Sequence, residues 1–333
     1  MEPEETAVKK IEMIRGAKKL VDECVGIKEG ENALIIIDTT TPLSIAEVLA
    51  MTCRERGAEP TIVVMSPTQV DGIDPPAPVG EAMQKAQVIF LGARGIFHGP
   101  SRIKASEAGA RCLIMVEFTE EDMFQGPIEA NFLENRSFVK KVAKALQSAN
   151  EARVTTPAGT DIYLDLRKRP EKIVEFNGVY HQPGESGSIN LEVAISPTVG
   201  KAQGVIVCDA STTLLKPGLI KEPFRAIVRD GKVTEISGGN DASRIANFLV
   251  AMGDPLVYNV AELAIGVNPK ATPAMMKGLH RDKGVYGTCH IGIGSNTTWG
   301  GNIKAAGHFD LIMYSPKIEL DGKTILENYR FNI

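Results

Sequence analysis

Over the first half of the chain, stretches with apolar residues at helical spacing alternate with short runs that are almost wholly apolar. Val8–Glu23, Ser44–Arg56, Gly80–Gln87 and Ser101–Ala110 have the helical spacing. Ser44 is placed to cap the second of them. Between them, Ala33–Ile37, Thr61–Met65, Val88–Gly92 and Cys112–Val116 have the length and texture of strands buried on both faces. Strands alternating with helices predict a mainly parallel sheet covered by helices, because parallel neighbours need a crossover. The charged, amphipathic stretch Phe138–Ala152 is expected to close this unit.

The pattern changes near residue 152. Val154–Asp165, Lys172–Phe176, Ile189–Ser196 and Gly204–Cys208 alternate or carry β-branched residues, which predicts strands. Phe224–Ile236 contains Asp230-Gly231, and Ile318–Leu326 contains Asp321-Gly322. An Asp-Gly pair takes positive φ at both turn positions and signals a two-residue hairpin. Asp241–Met252 is the one clear helix here. The expected fold class is an α/β N-terminal domain with mainly parallel sheet, residues 1–152, followed by a β-rich α+β domain, residues 153–333.

Composition narrows the function classes. Of 333 residues, 43% are hydrophobic and 23% charged, so disorder is excluded as the main state. Lys and Arg number 37 against 41 Asp and Glu, and no long basic run occurs, so no nucleic-acid partner is expected. The longest apolar runs are of core-strand length, well short of the roughly 20 residues of a membrane span, so no membrane association is expected. The segment MEPEETAVKK is acidic and lacks the apolar stretch of a signal peptide. Cys24, Cys53, Cys112, Cys208 and Cys289 are scattered, with no CxxC, which argues against a disulfide framework and for a cytoplasmic location. Gly92, Gly95 and Gly99 do not form a nucleotide-binding fingerprint, so neither NAD nor ATP is expected.

The candidate chemistry lies in the second half. The chain has five histidines, and His280, His290 and His308 fall within residues 280–333. In HFDLIMY, His308 and Asp310 face one side of a strand while Phe309, Leu311 and Met313 face the other. An imidazole and a carboxylate so placed can bind one metal ion, although a solvated face gives the same pattern. His290 opens HIGIG, where Gly292 and Gly294 leave space beside the ring; a hydrogen-bonded structural histidine is the alternative. Glu262 is expected to share a face with Val260 and Ala264, a costly position for a carboxylate unless it is paired or metal-bound. Glu192 sits on the polar face of NLEVAISP, where a solvated residue is the plain reading. His181 and His280 lie in polar, Gly-containing loops. Trp299, the single tryptophan, could wall a pocket or fill a core.

Four segments carry a family resemblance: Glu192–Pro197, Ala261–Pro269, His290–Gly294 and His308–Asp310. They resemble the metalloaminopeptidases of the aminopeptidase T, aminopeptidase S and aminopeptidase II group. That resemblance implies that Glu192, Glu262, His290, His308 and Asp310 bind a pair of divalent ions, zinc, cobalt or manganese, in a metal-binding second domain. It also implies a homodimer acting on a small molecule or short peptide. The expectation is a hydrolase of an amide or related C–N bond, in which metal-activated water attacks and Glu192 is the general base.

Two features depart from the peptidases. They carry a tyrosine where this chain has Thr297, and they are longer. A second branch of the superfamily, the 2,5-dihydroxypyridine 5,6-dioxygenases, has a similar length and opens a pyridine ring with Fe(II) and O2. That branch keeps the equivalents of His308 and Asp310, has His in place of Glu262, and lacks Glu192 and His290. Phe97-His98-Gly99-Pro100 resembles a dioxygenase segment that brings a histidine to the substrate, so His98 is a candidate catalytic residue. An Fe(II) ring-opening dioxygenase using Glu262, His308 and Asp310 is therefore the alternative expectation, and a metal-binding relative without catalysis is the third.

Overall fold

The computed structural model describes residues 3–68, 73–97, 99–215 and 218–333. The chain divides into two compact units, one of residues 1–136 and 176–190, the other of residues 137–175 and 191–333.

The first unit is built on a five-stranded, wholly parallel sheet. Its strands, in spatial order, are Glu59–Met65, Asn32–Asp38, Val88–Leu91, Arg111–Ile114 and Ser186–Ser188. The first four are the strands expected from the apolar runs. The fifth comes from Ser186-Gly187-Ser188, which has no apolar side chain to announce it; it pairs Cys112 with Ser186 and Ile114 with Ser188. Gly187 is required there, because a Cβ would lie 2.3 Å from the Tyr180 hydroxyl. Helices Leu43–Glu55, Ala77–Met83 and Pro100–Glu107 form the crossovers. Leu34, Ile36, Ile89, Leu91, Cys112 and Ile114 are buried in one cluster with Met83 and Ala105 from two of these helices.

Two local expectations differ. Ser44 lies inside its helix, whose N-cap is Pro42, and its hydroxyl bonds the Glu120 carboxylate at 2.5 Å. The first helix runs Pro3–Lys18 and then widens into a π-helical turn, Lys19–Cys24, in which Leu20, Val21 and Cys24 are buried. The helix expected to close the first unit starts earlier, at Phe132, and its residues from Ser137 onward pack with the second unit.

The second unit is β-rich, as expected. One sheet has eight strands in the order Lys232–Ser237, Phe224–Arg229, Ala202–Cys208, Asp161–Asp165, Glu151–Thr155, Lys317–Leu320, Lys323–Glu327 and Arg330–Phe331, with antiparallel pairings throughout. Both Asp-Gly turns form as predicted. Asp230 and Gly231 have φ of 47° and 71°, and Asp321 and Gly322 have 48° and 78°. The second sheet has six strands, in the order Ser211–Thr212, His308–Met313, Cys289–Gly294, Val260–Gly266, Glu192–Ile195 and Ile173–Phe176. No helix among the described residues is long and apolar enough to cross a membrane.

Candidate metal centre

The register of the six-stranded sheet brings the chemistry together. Across three antiparallel strands, Glu262 pairs with Gly292 and Gly292 pairs with Asp310. Directly paired residues share a face, so Glu262 and Asp310 flank a glycine in one row. The next row holds Ala194, Ala264, His290 and Ile312. Gly294 pairs with His308 in the row on the other side, and Glu192 pairs with Gly266 beyond Ala194.

The glycines in these rows are a steric requirement. A Cβ on Gly292 would sit 2.6 Å from His308 Cε1, 2.7 Å from Glu262 Oε2 and 2.8 Å from Glu262 Cβ. The space a side chain would take is where His308 and Glu262 meet. Val260, expected on the same face as Glu262, instead pairs with Ile293 on the opposite one, because a bulge between Val260 and Glu262 shifts the register.

His308 is held at both nitrogens. Nδ1 lies 2.8 Å from the Ser295 carbonyl, to which it donates. Nε2 lies 2.8 Å from Glu262 Oε2 and 3.1 Å from Asp310 Oδ1. A metal-binding histidine is usually fixed in this way, with one ring N–H on a carbonyl and the other nitrogen aimed at the ion. His290 is fully buried, and its Nε2 is 3.6 Å from Glu262 Oε1 and 3.9 Å from Asp310 Oδ1. The structure thus brings together Glu192, Glu262, His290, His308 and Asp310. Two overlapping groups have donor atoms within 4.8 Å of one another: Glu192, Glu262 and His290, and Glu262, His308 and Asp310.

Several of these atoms are buried without a hydrogen bond: Glu192 Oε2, Glu262 Oε1 and both ring nitrogens of His290, although His290 Nε2 and Glu262 Oε1 face each other at 3.6 Å. Leaving a buried polar atom unsatisfied costs about 1–3 kcal/mol, and more for a charged group. A divalent cation would satisfy such a set, and carboxylate and imidazole donors suit first-row ions such as iron, manganese and zinc. The residues fit a metal.

Sequence reasoning missed Lys283. It sits in the short helical turn His280–Gly284, in a polar segment with no periodicity to mark it. It is buried, and Nζ is 3.4 Å from both Glu192 Oε1 and Asp310 Oδ2. Glu192 is buried as well, so the solvated-face reading fails for it.

The charges are strongly coupled. Burial acts to lower Lys283, but Asp310 and Glu192 outweigh it and hold the ammonium protonated far above its ordinary range. Burial acts to raise Asp310 and Glu262. For Asp310, Lys283 and the two imidazoles outweigh it and hold the carboxyl well below the usual range; for Glu262 the imidazoles of His290 and His308 outweigh it and lower the carboxyl. Burial raises Glu192, with Lys283 opposing. His308 is pushed up to about 10, because Asp310 and Glu262 overcome its desolvation.

The remaining candidates stand apart from the cluster or beside it. His98 lies outside the described residues. His181 Nε2 contacts the Glu23 carbonyl at 2.9 Å in the first unit, a structural role. Thr297 is exposed, with its hydroxyl 3.1 Å from that of Ser295. Trp299 is buried with its ring centroid 5.0 Å from that of His308, at 37°. It therefore packs against the His308 ring.

Known proteins resemble the chain as follows. The family described as 2,5-dihydroxypyridine 5,6-dioxygenase (NicX) matches residues 12–332. A 2,5-dihydroxypyridine 5,6-dioxygenase of Pseudomonas putida KT2440 is 26% identical over 241 residues, 69% of this chain and 67% of that protein. The solved structure of the 2,5-dihydroxypyridine dioxygenase from Pseudomonas putida KT2440 aligns with a TM-score of 0.79 at 20% identity, covering 98% of this chain and 97% of that one. Wild-type AmpT from Thermus thermophilus aligns with a TM-score of 0.68 at 14% identity, covering 97% and 100%. At these identities the two structures share the fold. The family match overturns the expected aminopeptidase-like metallohydrolase, and with it the role of Glu192 as a hydrolytic base. The five donors suggested hydrolysis, but carboxylates and imidazoles serve many metal reactions and do not select one.

Proposed function

The chain belongs to the 2,5-dihydroxypyridine 5,6-dioxygenase family, and from that premise we propose that it opens the ring of a dihydroxypyridine-type small molecule with O2, using Fe(II). The observation that supports this most is His308, pinned through Nδ1 and facing Glu262 and Asp310 through Nε2. Glu262, His308 and Asp310 would hold the ion. Bound there, Fe(II) supplies the O2 and one-electron chemistry that no side chain in the centre can provide.

Non-haem Fe(II) oxygenases commonly use two imidazoles and one carboxylate. The dioxygenases that the sequence resembles have His where this chain has Glu262. Here that position is a carboxylate, and a second imidazole, His290 on the neighbouring strand, lies outside the triad, with Glu262 between the two rings at 2.8 Å and 3.6 Å. The chain's own residues do the rest. Ser295 orients the His308 ring. Trp299 packs its ring against that of His308 and helps hold it in place. Asp310 is fixed from behind, since its backbone N–H donates to the Thr213 hydroxyl at 2.8 Å.

Oxygen uptake tests the reading. Protein loaded anaerobically with Fe(II) and mixed with 2,5-dihydroxypyridine is expected to consume one O2 per substrate as the ring absorbance disappears. Folded, iron-loaded protein that takes up no O2 with any dihydroxypyridine would sink it.

A further inference from the structure

We infer that Lys283 takes the place of a second cation in this centre and so limits the carboxylate–imidazole cluster to one divalent ion. The inference rests on the metal-centre reading above and adds a residue that sets the capacity of the centre.

The two donor groups look at first like two ion positions that share Glu262. The charges say otherwise. Glu192, Glu262 and Asp310 are each no more than 2% exposed. Together they carry three negative charges, and Lys283 returns one positive charge. One divalent ion on Glu262, His308 and Asp310 brings the set to neutrality. A second would leave two uncompensated positive charges in a buried, low-dielectric site, where charge is costly unless paired.

Geometry agrees with the arithmetic. Lys283 touches one member of each donor group, Glu192 Oε1 in one and Asp310 Oδ2 in the other, at the same distance of 3.4 Å. It leaves Asp310 Oδ1 free to face His308 Nε2. Its charge lies equally close to both carboxylates, so a cation added to the group with His290 would face the ammonium across Glu192, which belongs to that group alone.

The lysine is delivered there by built structure. Asp282 accepts backbone N–H bonds from Lys277 at 3.2 Å, Gly278 at 2.7 Å and Leu279 at 3.3 Å, which fixes the turn. The Asn268 N–H donates to the Gly284 carbonyl at 3.0 Å, tying the turn to the end of the Glu262 strand. Gly266 permits the approach, since a Cβ there would lie 2.1 Å from the Val285 carbonyl oxygen and 2.8 Å from that of Lys283.

Zn2+, which does no redox chemistry, is the probe. Metal-free full-length protein is dialysed against excess Zn2+ and the bound ions per chain are counted by elemental analysis. Wild type is expected to hold one. Lys283→Met and Lys283→Gln are expected to hold two, the second bound roughly a hundredfold tighter than any second ion on wild type. Lys283→Arg keeps the charge and is expected to hold one. Circular dichroism checks the fold of each variant, and the wild-type count stands whether or not a variant folds. Two ions on wild type overturn the inference while leaving the metal centre intact, as does a single ion on folded Lys283→Met and Lys283→Gln. No ion on wild type would instead overturn the metal-centre reading itself.

Discussion

His308 donates from Nδ1 to the Ser295 carbonyl at 2.8 Å, and that one bond decides which nitrogen faces Glu262 and Asp310. Because the acceptor is backbone, the tautomer is set by the chain's path after the His290 strand. The substitution that reads this out is His308→Gln, which keeps polarity but loses the fixed ring. Zn2+ affinity is expected to fall by more than the roughly 10–100-fold that follows the loss of an outer partner. Isothermal titration measures it, and an unchanged affinity would remove His308 from the ligand set.

Gly292→Ala tests the row in which Glu262 and Asp310 flank a glycine. The new methyl would press on His308 and Glu262 at under 3 Å. Overpacking of this kind costs about 1–3 kcal/mol. The variant is expected to fold with a lowered melting temperature and to lose metal binding, as followed by thermal melts with and without Zn2+. Full Zn2+ stabilisation in this variant would contradict the steric account.

The pH dependence of the metal-free protein follows from His308. Its folded pKa of about 10 lies above the ordinary imidazole value of 6.5. A group whose pKa rises on folding stabilises the fold fully below its unfolded pKa and loses that contribution as pH climbs through the folded one. The melting temperature of metal-free protein is thus expected to fall between about pH 6.5 and 10. A bound cation takes over the role of the proton on Nε2, so metal-loaded protein is expected to show a flatter profile. Identical profiles for the two forms would count against the ion binding at His308.

All five cysteines are free and buried. Burial pushes the Cys53 thiol up to about 12 and the Cys112 thiol up to about 11. Thiolate is the reactive form, so the native protein is expected to be inert to a thiol-specific chromogenic reagent at pH 8. All five should react in denaturant. Fast labelling of a native thiol would show that one of these sites opens.

Much of this protein was legible in its sequence. The apolar runs gave four strands of the parallel sheet: three are buried on both faces and have no polar alternation to confuse them, and the edge strand Glu59–Met65 kept an apolar run although Val64 is exposed. The two Asp-Gly pairs gave the hairpins, because few other residues tolerate their backbone. Glu262 stood out because a carboxylate among core-like neighbours needs a partner, whereas Glu192, His290, His308 and Asp310 each had a plain structural reading and were gathered into one set by the family resemblance of their segments. Tertiary structure alone decided the rest. The bulge at Val260 and the row of Glu262, Gly292 and Asp310 depend on register between strands far apart in the chain, which no local spacing encodes. Ser186–Ser188 joins a sheet through backbone hydrogen bonds, without side chains that signal it. Lys283 reads as a surface charge in a polar loop, and only the turn held by Asp282 places its ammonium between two buried carboxylates. The choice of reaction was legible in neither the donors nor their spacing, because the same imidazoles and carboxylates serve hydrolysis and oxygen chemistry alike.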